Sequence, residues 1–235
     1  MSNRVIPSKL MAFEENVGAE TLSQIKCEKV RLTPFGINSS TAVKPTSLNR
    51  IPFRIPAYAH SFLDTENSFL SFQFTTTATA NTLTATANTV PGVGLSVCNR
   101  LLIKSSGGLV ISDETNYDVL TKMLVITRQD YQDDNRQDEG IYNDGEITTA
   151  PGLLLGDKLR TGYTYVVKFK TSILSTELKQ YLPLFLMDNT AFAFDCELFL
   201  APAVNVLTSK GNLPTNSSYQ VTNPVFNLAL IQLDE

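Results

Sequence analysis

RIPFRIPAYAHSFLDTENSFLSFQFTTT, residues 50–77, decides the fold class. In its second half Leu70, Phe72 and Phe74 alternate with Phe69, Ser71 and Gln73. One side of an extended chain is then wholly apolar and the other mixed, as a half-buried strand requires. The first half, Ile51 to Ile55, reads as another strand, and Asp64-Thr65-Glu66-Asn67 between the two has the composition of a turn. The stretch predicts two strands joined through Ala57 to Asn67, with a polar elbow at 64–67, in a β protein.

Outward from this stretch the same signal recurs. Glu28-Lys29-Val30-Arg31-Leu32-Thr33 alternates strictly, and further runs lie at 51–55, 69–77, 100–104, 108–112, 163–173, 192–200 and 225–233. Eight such runs, separated by Pro, Gly, Asn and Ser clusters, predict an all-β sandwich or barrel rather than βαβ units. LLIKSSGGLVIS, 101–112, is two apolar runs closed by Gly107-Gly108 and predicts a β-hairpin. TTTATANTLTATANTVP, 75–91, favours extended backbone through its threonines but has little to bury, so its register is weakly specified.

Two helical inserts are expected. Asp113 is placed to cap a helix over 114–126, whose Tyr117, Leu120 and Leu124 make one apolar face. A shorter helix is expected over 175–181, capped by Ser175. Residues 1–24 show no sustained period and read as an N-terminal arm that packs on something other than its own core, leaving 25–235 as the folded domain.

Of the 235 residues, 43% are hydrophobic and 18% charged, enough apolar material for a core and too little charge for a disordered chain. The formal net charge of −4 is concentrated. Residues 128–146 carry seven acids (Asp130, Asp133, Asp134, Asp138, Glu139, Asp144 and Glu146) against Arg128 and Arg136, a net −5. The rest is nearly neutral, and the arm's two cations, Arg4 and Lys9, are too few to bind nucleic acid by counterion release. No strong nucleic-acid binding is expected. No run approaches bilayer-spanning length and the first residues lack the apolar core of a signal peptide, so membrane insertion is not expected and the chain reads as soluble, in a reducing compartment.

Catalytic chemistry finds little support. His60 is the only histidine, and His60 with Asp64 and some serine has no nucleophile-elbow context. Cys27, Cys98 and Cys196 are far apart with no CxxC pair, and read as free thiols packed as small apolar residues. The acidic run lacks the spacing of a calcium loop and reads as a solvated surface. No catalytic, cofactor-binding or metal-ligating residue is assigned, and no cofactor is expected. A carbohydrate-binding sandwich using Tyr58, Tyr131 and Tyr142 as stacking platforms is the alternative, weakened by the absence of tryptophan.

Four segments in order, SFLDTENSFLSFQF, NRLLIKSSGGLVISDETNYDVLTKML, QYLPLFLMDNTAFAFDCELFLAP and YQVTNPVFNLALIQLDE, resemble viral jelly-roll capsid proteins. The likeness is greatest to the N-terminal jelly roll of the double jelly-roll major capsid proteins of virophages, polinton-like elements and related DNA viruses. It implies an eight-stranded antiparallel sandwich of two four-stranded sheets. It also implies a structural, non-enzymatic subunit of an icosahedral virion, whose partners are copies of itself in trimeric or higher capsomers and other capsid proteins. That lineage carries two jelly rolls in tandem, whereas this sequence has room for one. Three arrangements fit: a piece of a longer protein, a single jelly-roll capsid protein, or a minor component such as a vertex protein.

Overall fold

The computed structural model describes residues 25–38, 40–77, 87–89, 93–127, 163–175, 181–187, 192–209 and 218–233. Its strands in chain order are β1 (Ile25–Leu32), β2 (Arg50–Ile55), β3 (Ser61–Thr77), β4 (Ala87–Thr89), β5 (Cys98–Ser105) and β6 (Val110–Thr115). They continue with β7 (Tyr163–Val167), β8 (Tyr181–Pro183), β9 (Phe194–Leu200), β10 (Leu207–Ser209) and β11 (Ser218–Leu233). Among the described residues three α-helices, α1 (Val93–Ser96), α2 (Tyr117–Thr127) and α3 (Ala203–Val206), and one 3-10 turn, Leu184–Met187, accompany them.

Apart from the three-residue strands β4, β8 and β10, eight strands remain, and they pair by nesting. The first joins the last (β1 with β11), the second the seventh (β2 with β9), the third the sixth (β3 with β7) and the fourth the fifth (β5 with β6), all antiparallel. The chain is thus one long hairpin wrapped into two sheets, ordered β1-β11-β3-β7 and β2-β9-β5-β6. This is the jelly-roll sandwich. β8 extends the first sheet past β7 along β3, and β10 with β4 forms a separate ribbon.

Alternation explains which face each strand buries. Ile51, Phe53 and Ile55 of β2, Leu101 and Ile103 of β5, and Cys196 and Leu198 of β9 point into the same core as Leu70, Phe72 and Phe74 of β3 and Phe226, Leu228 and Leu230 of β11. Phe226 meets Phe53 of the opposite sheet edge-to-face at 5.8 Å and Phe169 at 5.7 Å. Side chains of this size contribute about 1.5–3 kcal/mol each when fully buried, so this inner layer supplies the main driving force for folding.

The elbow expected at Asp64–Asn67 is not a turn between strands. β3 runs through it without ending, and the actual turn lies earlier, at Pro56–His60, with His60 in the left-handed region at φ 54°. The partner register slips here: Phe69 faces Asn227 but Asp64 faces Ala229, so extra residues of β3 bulge out against one of β11. The bulge is held by its own side chains. The Asp64 carboxylate accepts from the Glu66 and Asn67 amides at 3.0 and 3.3 Å and from Asn67 Nδ2 at 2.7 Å. Ser68 Oγ donates to the Asp64 carbonyl at 2.6 Å and accepts from the Ala229 amide at 3.0 Å, filling the broken ladder.

The hairpin closes as expected, with Gly108 at φ 82° supplying the left-handed position of its turn. The helix that follows starts later than 114. Asp113 is held in β6 by pairing with Arg100, and Thr115 still pairs with Arg100 in the ladder, so the helix begins at Tyr117 after Asn116 turns at φ 56°. Its inward side is Tyr117, Asp118 and Thr121, while Leu120 of the expected apolar face is 38% exposed and the Leu124 side chain lies outside the described residues. The helix expected at 175–181 falls mostly on residues outside the described set, and its end, Tyr181, is in strand β8. The run expected over 163–173 is a strand only to Val167, whereas that at 225–233 begins earlier, at Ser218. The arm 1–24 lies outside the described residues.

Candidate assembly surfaces

His60 and Asp64 do not form a reactive pair. His60 is exposed on the turn, and the Asp64 carboxylate is committed to the bulge described above. Among the described residues no cluster of three or more His, Cys, Asp or Glu is arranged to hold a metal ion. Cys98 and Cys196 are buried in the strands where the sequence placed them, and burial pushes both thiols well above the ordinary range. Cys27 departs from the expectation of a packed thiol: it is exposed on β1. Of the tyrosines proposed as stacking platforms, Tyr58 is half-buried against the core, and burial raises its hydroxyl pKa. Tyr131 and Tyr142 lie outside the described residues. A small hollow between the sheets, lined by Ile51, Leu70, Phe72, Val97, Phe169 and Leu198, offers a polar ligand almost nothing to bind. No described helix is long and apolar enough to cross a membrane.

What the fold does build is a set of organised outer faces. α1 packs against α2 and α3, α2 packs against β5, and a buried polar junction ties α2 and α3 to the second sheet. Asp118, fully buried in the first turn of α2, accepts from Asn99 Nδ2 of β5 at 3.0 Å and from Asn205 Nδ2 of α3 at 2.7 Å. Tyr117 beside it is also fully buried, and its hydroxyl accepts from the Lys170 amide at 3.1 Å, joining α2 to the chain leaving β7. Outward from this junction α2 and α3 present Val119, Met123 (59% exposed) and Val204 (70% exposed). At the hairpin tip Leu109 is 72% exposed.

The outer face of the second sheet is polar and cross-linked. Glu197 of β9 sits between Arg50 of β2 at 3.7 Å and Lys104 of β5 at 3.3 Å. Arg100 makes a two-pronged contact to Asp113, both bonds 2.7 Å, and lies over the Phe199 ring at 5.5 Å. That guanidinium holds the Asp113 carboxyl below the ordinary carboxylate range. Arg54 stacks on Phe35 at 3.5 Å and lies 4.8 Å from the Phe192 ring. Strand alternation put Arg50, Arg100, Lys104, Asp113 and Glu197 on this outer face, but that Glu197 meets both Arg50 and Lys104 depended on β9 lying between β2 and β5, a pairing that strand positions alone do not give.

The lateral edges differ in charge. β1 and β2 are the outermost strands of their sheets and lie against each other. On them Lys26, Lys29, Arg31, Arg50 and Arg54 are exposed. The opposite edge is formed by β6 and β7, linked where Thr171 Oγ1 donates to the Glu114 carboxylate.

No protein-family model matches the chain, and no curated protein matches its sequence. Solved structures do match its fold. The capsid of the virus PBCV-1, in a quasi-atomic model, aligns with a TM-score of 0.55 and 15% identity, covering 89% of this chain and 43% of that one. The PBCV-1 protein VP54, fitted into a reconstruction of the virophage Sputnik, aligns with a TM-score of 0.54 and 15% identity over the same shares. The chain therefore spans less than half the length of the capsid chains whose fold it shares.

Proposed function

We propose that this chain is a structural subunit of a viral capsid and works by burying its outer faces against copies of itself and against other capsid proteins. The nested eight-strand jelly roll, matched over 89% of the chain to a PBCV-1 capsid structure, is the observation that carries this reading. The outer faces support it: they are ordered by ion pairs and a buried polar junction and, among the described residues, do not converge on a cleft with a nucleophile and base. Weak contacts suffice for such a subunit, because closed symmetry repeats each one many times. The reading includes a virion location, capsomers of three or more copies, no enzymatic step, and a role for residues 1–24 as an arm reaching a neighbouring subunit.

The test is the assembly state of the purified chain. Negative-stain micrographs and sedimentation velocity across protein and salt concentration are expected to show capsomers or shells. A chain that stays monomeric under every condition overturns the proposal.

A further inference from the structure

α2 is amphipathic in the reverse sense for a helix packed on its own core. Its inward side carries Tyr117, Asp118 and Thr121, all buried. Asp118 accepts from Asn99 and Asn205, and Thr121 Oγ1 lies 2.9 and 3.1 Å from the Tyr117 and Asp118 carbonyls, so both polar side chains are satisfied. Its outward side carries Val119 and Leu120, 47% and 38% exposed, and Met123. A helix that serves only its own domain turns an apolar stripe inward and polar residues outward. Here polar bonds fasten the helix, and its apolar side chains face away from the fold.

α3 enlarges that surface. Val119 follows Asp118 and Val204 precedes Asn205, and the 2.7 Å bond between Asp118 and Asn205 brings the two valines into one region. Ionisable residues are few there. α2 contains only Asp118, which is buried, and Lys122, and α3 contains none. By contrast β1 exposes Lys29 and Arg31, and β2 exposes Arg50 and Arg54.

We infer that the α2/α3 face docks on the same face of a second copy of this chain, across a two-fold axis. The inference rests on the capsid reading and supplies it with one named contact. A two-fold contact sets a patch against itself. Cations on β1 or β2 would then meet cations, which like-charge repulsion opposes, whereas valine, leucine and methionine meet surface of their own kind. Counting about 100 Å² for each fully bare side chain, the four present about 200 Å² per copy and cover about 400 Å² across the pair. With a polar rim that makes a contact at the weak end of the specific range, of the kind that assembly symmetry repeats.

The experiment uses the full chain, with self-association read by sedimentation velocity. The double variants Val119→Lys, Val204→Lys and Val119→Glu, Val204→Glu should each weaken it by about tenfold or more, because each sets like charges across the axis. An equimolar mixture of the two should recover it, which only a patch that meets itself allows. Both substitutions fall on exposed positions, and slow maleimide labelling of the buried Cys98 and Cys196 verifies that the variants are folded. If either does not fold, Val119→Ala, Val204→Ala gives the same direction with a smaller loss. The contact is read directly in a Cys27→Ser background, where Val204→Cys should form a disulfide-linked dimer with a mild oxidant present. Leu109→Cys at the hairpin tip, as exposed as Val204, should form one far more slowly.

Charged variants that assemble as wild type does, a mixture that recovers nothing, or a Val204→Cys chain that links only to Leu109→Cys overturn this inference and leave the capsid reading standing. A wild type that never associates overturns both.

Discussion

Asn205 Nδ2 donates to the Asp118 carboxylate at 2.7 Å, joining two helices that are 87 positions apart in sequence. Asn99 Nδ2 reaches the same fully buried carboxylate at 3.0 Å, so one acid satisfies two half-buried amides. Replacing Asp118 by Ala strands both donors, each at about 1–3 kcal/mol. A loss of roughly 2–4 kcal/mol is therefore expected for Asp118→Ala, and about 1–2 kcal/mol for Asn205→Ala, which leaves Asn99 in place. Urea unfolding of the two variants checks the order; an Asn205→Ala cost equal to that of Asp118→Ala would contradict the shared-acceptor geometry.

The bulge in β3 makes a second, independent prediction. Because the Asp64 carboxylate carries the Glu66 and Asn67 amides that the interrupted ladder leaves open, Asp64→Ala should cost about 1–2 kcal/mol. Asp64→Asn keeps one acceptor oxygen and should cost less. Thermal unfolding measures both.

Thiol chemistry separates the three cysteines. In the folded chain a maleimide or disulfide reagent should titrate one thiol rapidly, that of Cys27, and all three in denaturant. Burial raises the Cys98 and Cys196 thiols, which further slows them at neutral pH. Fast labelling of two or three thiols in the folded state would show that the strands open more readily than this core allows.

Asp113 carries a pH dependence of definite sign. Its folded pKa is lowered by the Arg100 hydrogen bonds, so the pair's contribution is fully present above the unfolded carboxylate value and disappears as pH falls through the lower folded one. The carboxyl signal of Asp113 in an NMR titration should move only below the ordinary aspartate range. Arg100→Gln should return it to that range.

Strand positions were legible in the sequence because alternation is a local signal, and Ile51, Phe53 and Ile55 or Leu70, Phe72 and Phe74 carry it in full view. The misreadings have one physical source. Asp64-Thr65-Glu66-Asn67 has turn composition, yet β3 pairs with β11 on both sides of it and Asp64 also pairs with β8, so these residues are taken up as a bulge inside one strand, with the Asp64 carboxylate accepting from the Glu66 and Asn67 amides. Asp113 likewise suits a helix cap, but Arg100, thirteen residues earlier, claims it for the strand. Partners distant in sequence overrode local preference in both places. The outer faces were half visible: exposure of Lys29 and Arg31 on β1 and of Arg50 and Arg54 on β2 follows from strand alternation, whereas which strands end up at the edges is set by the sheet order and has no local signal.

Nesting the first strand against the last has a kinetic consequence during synthesis. Leu32 pairs with Phe226, so β1 leaves the ribosome roughly 200 residues before its partner. At about 5–20 residues per second, that is some ten to forty seconds in which β1 waits without its ladder. A half-apolar strand left bare for so long invites aggregation, and Lys26, Lys29 and Arg31 are the kind of charges that protect such a strand from pairing with the wrong chain. The same topology places the fold among those whose non-local closure makes folding slow, with the joining of β1 to β11 among its last events.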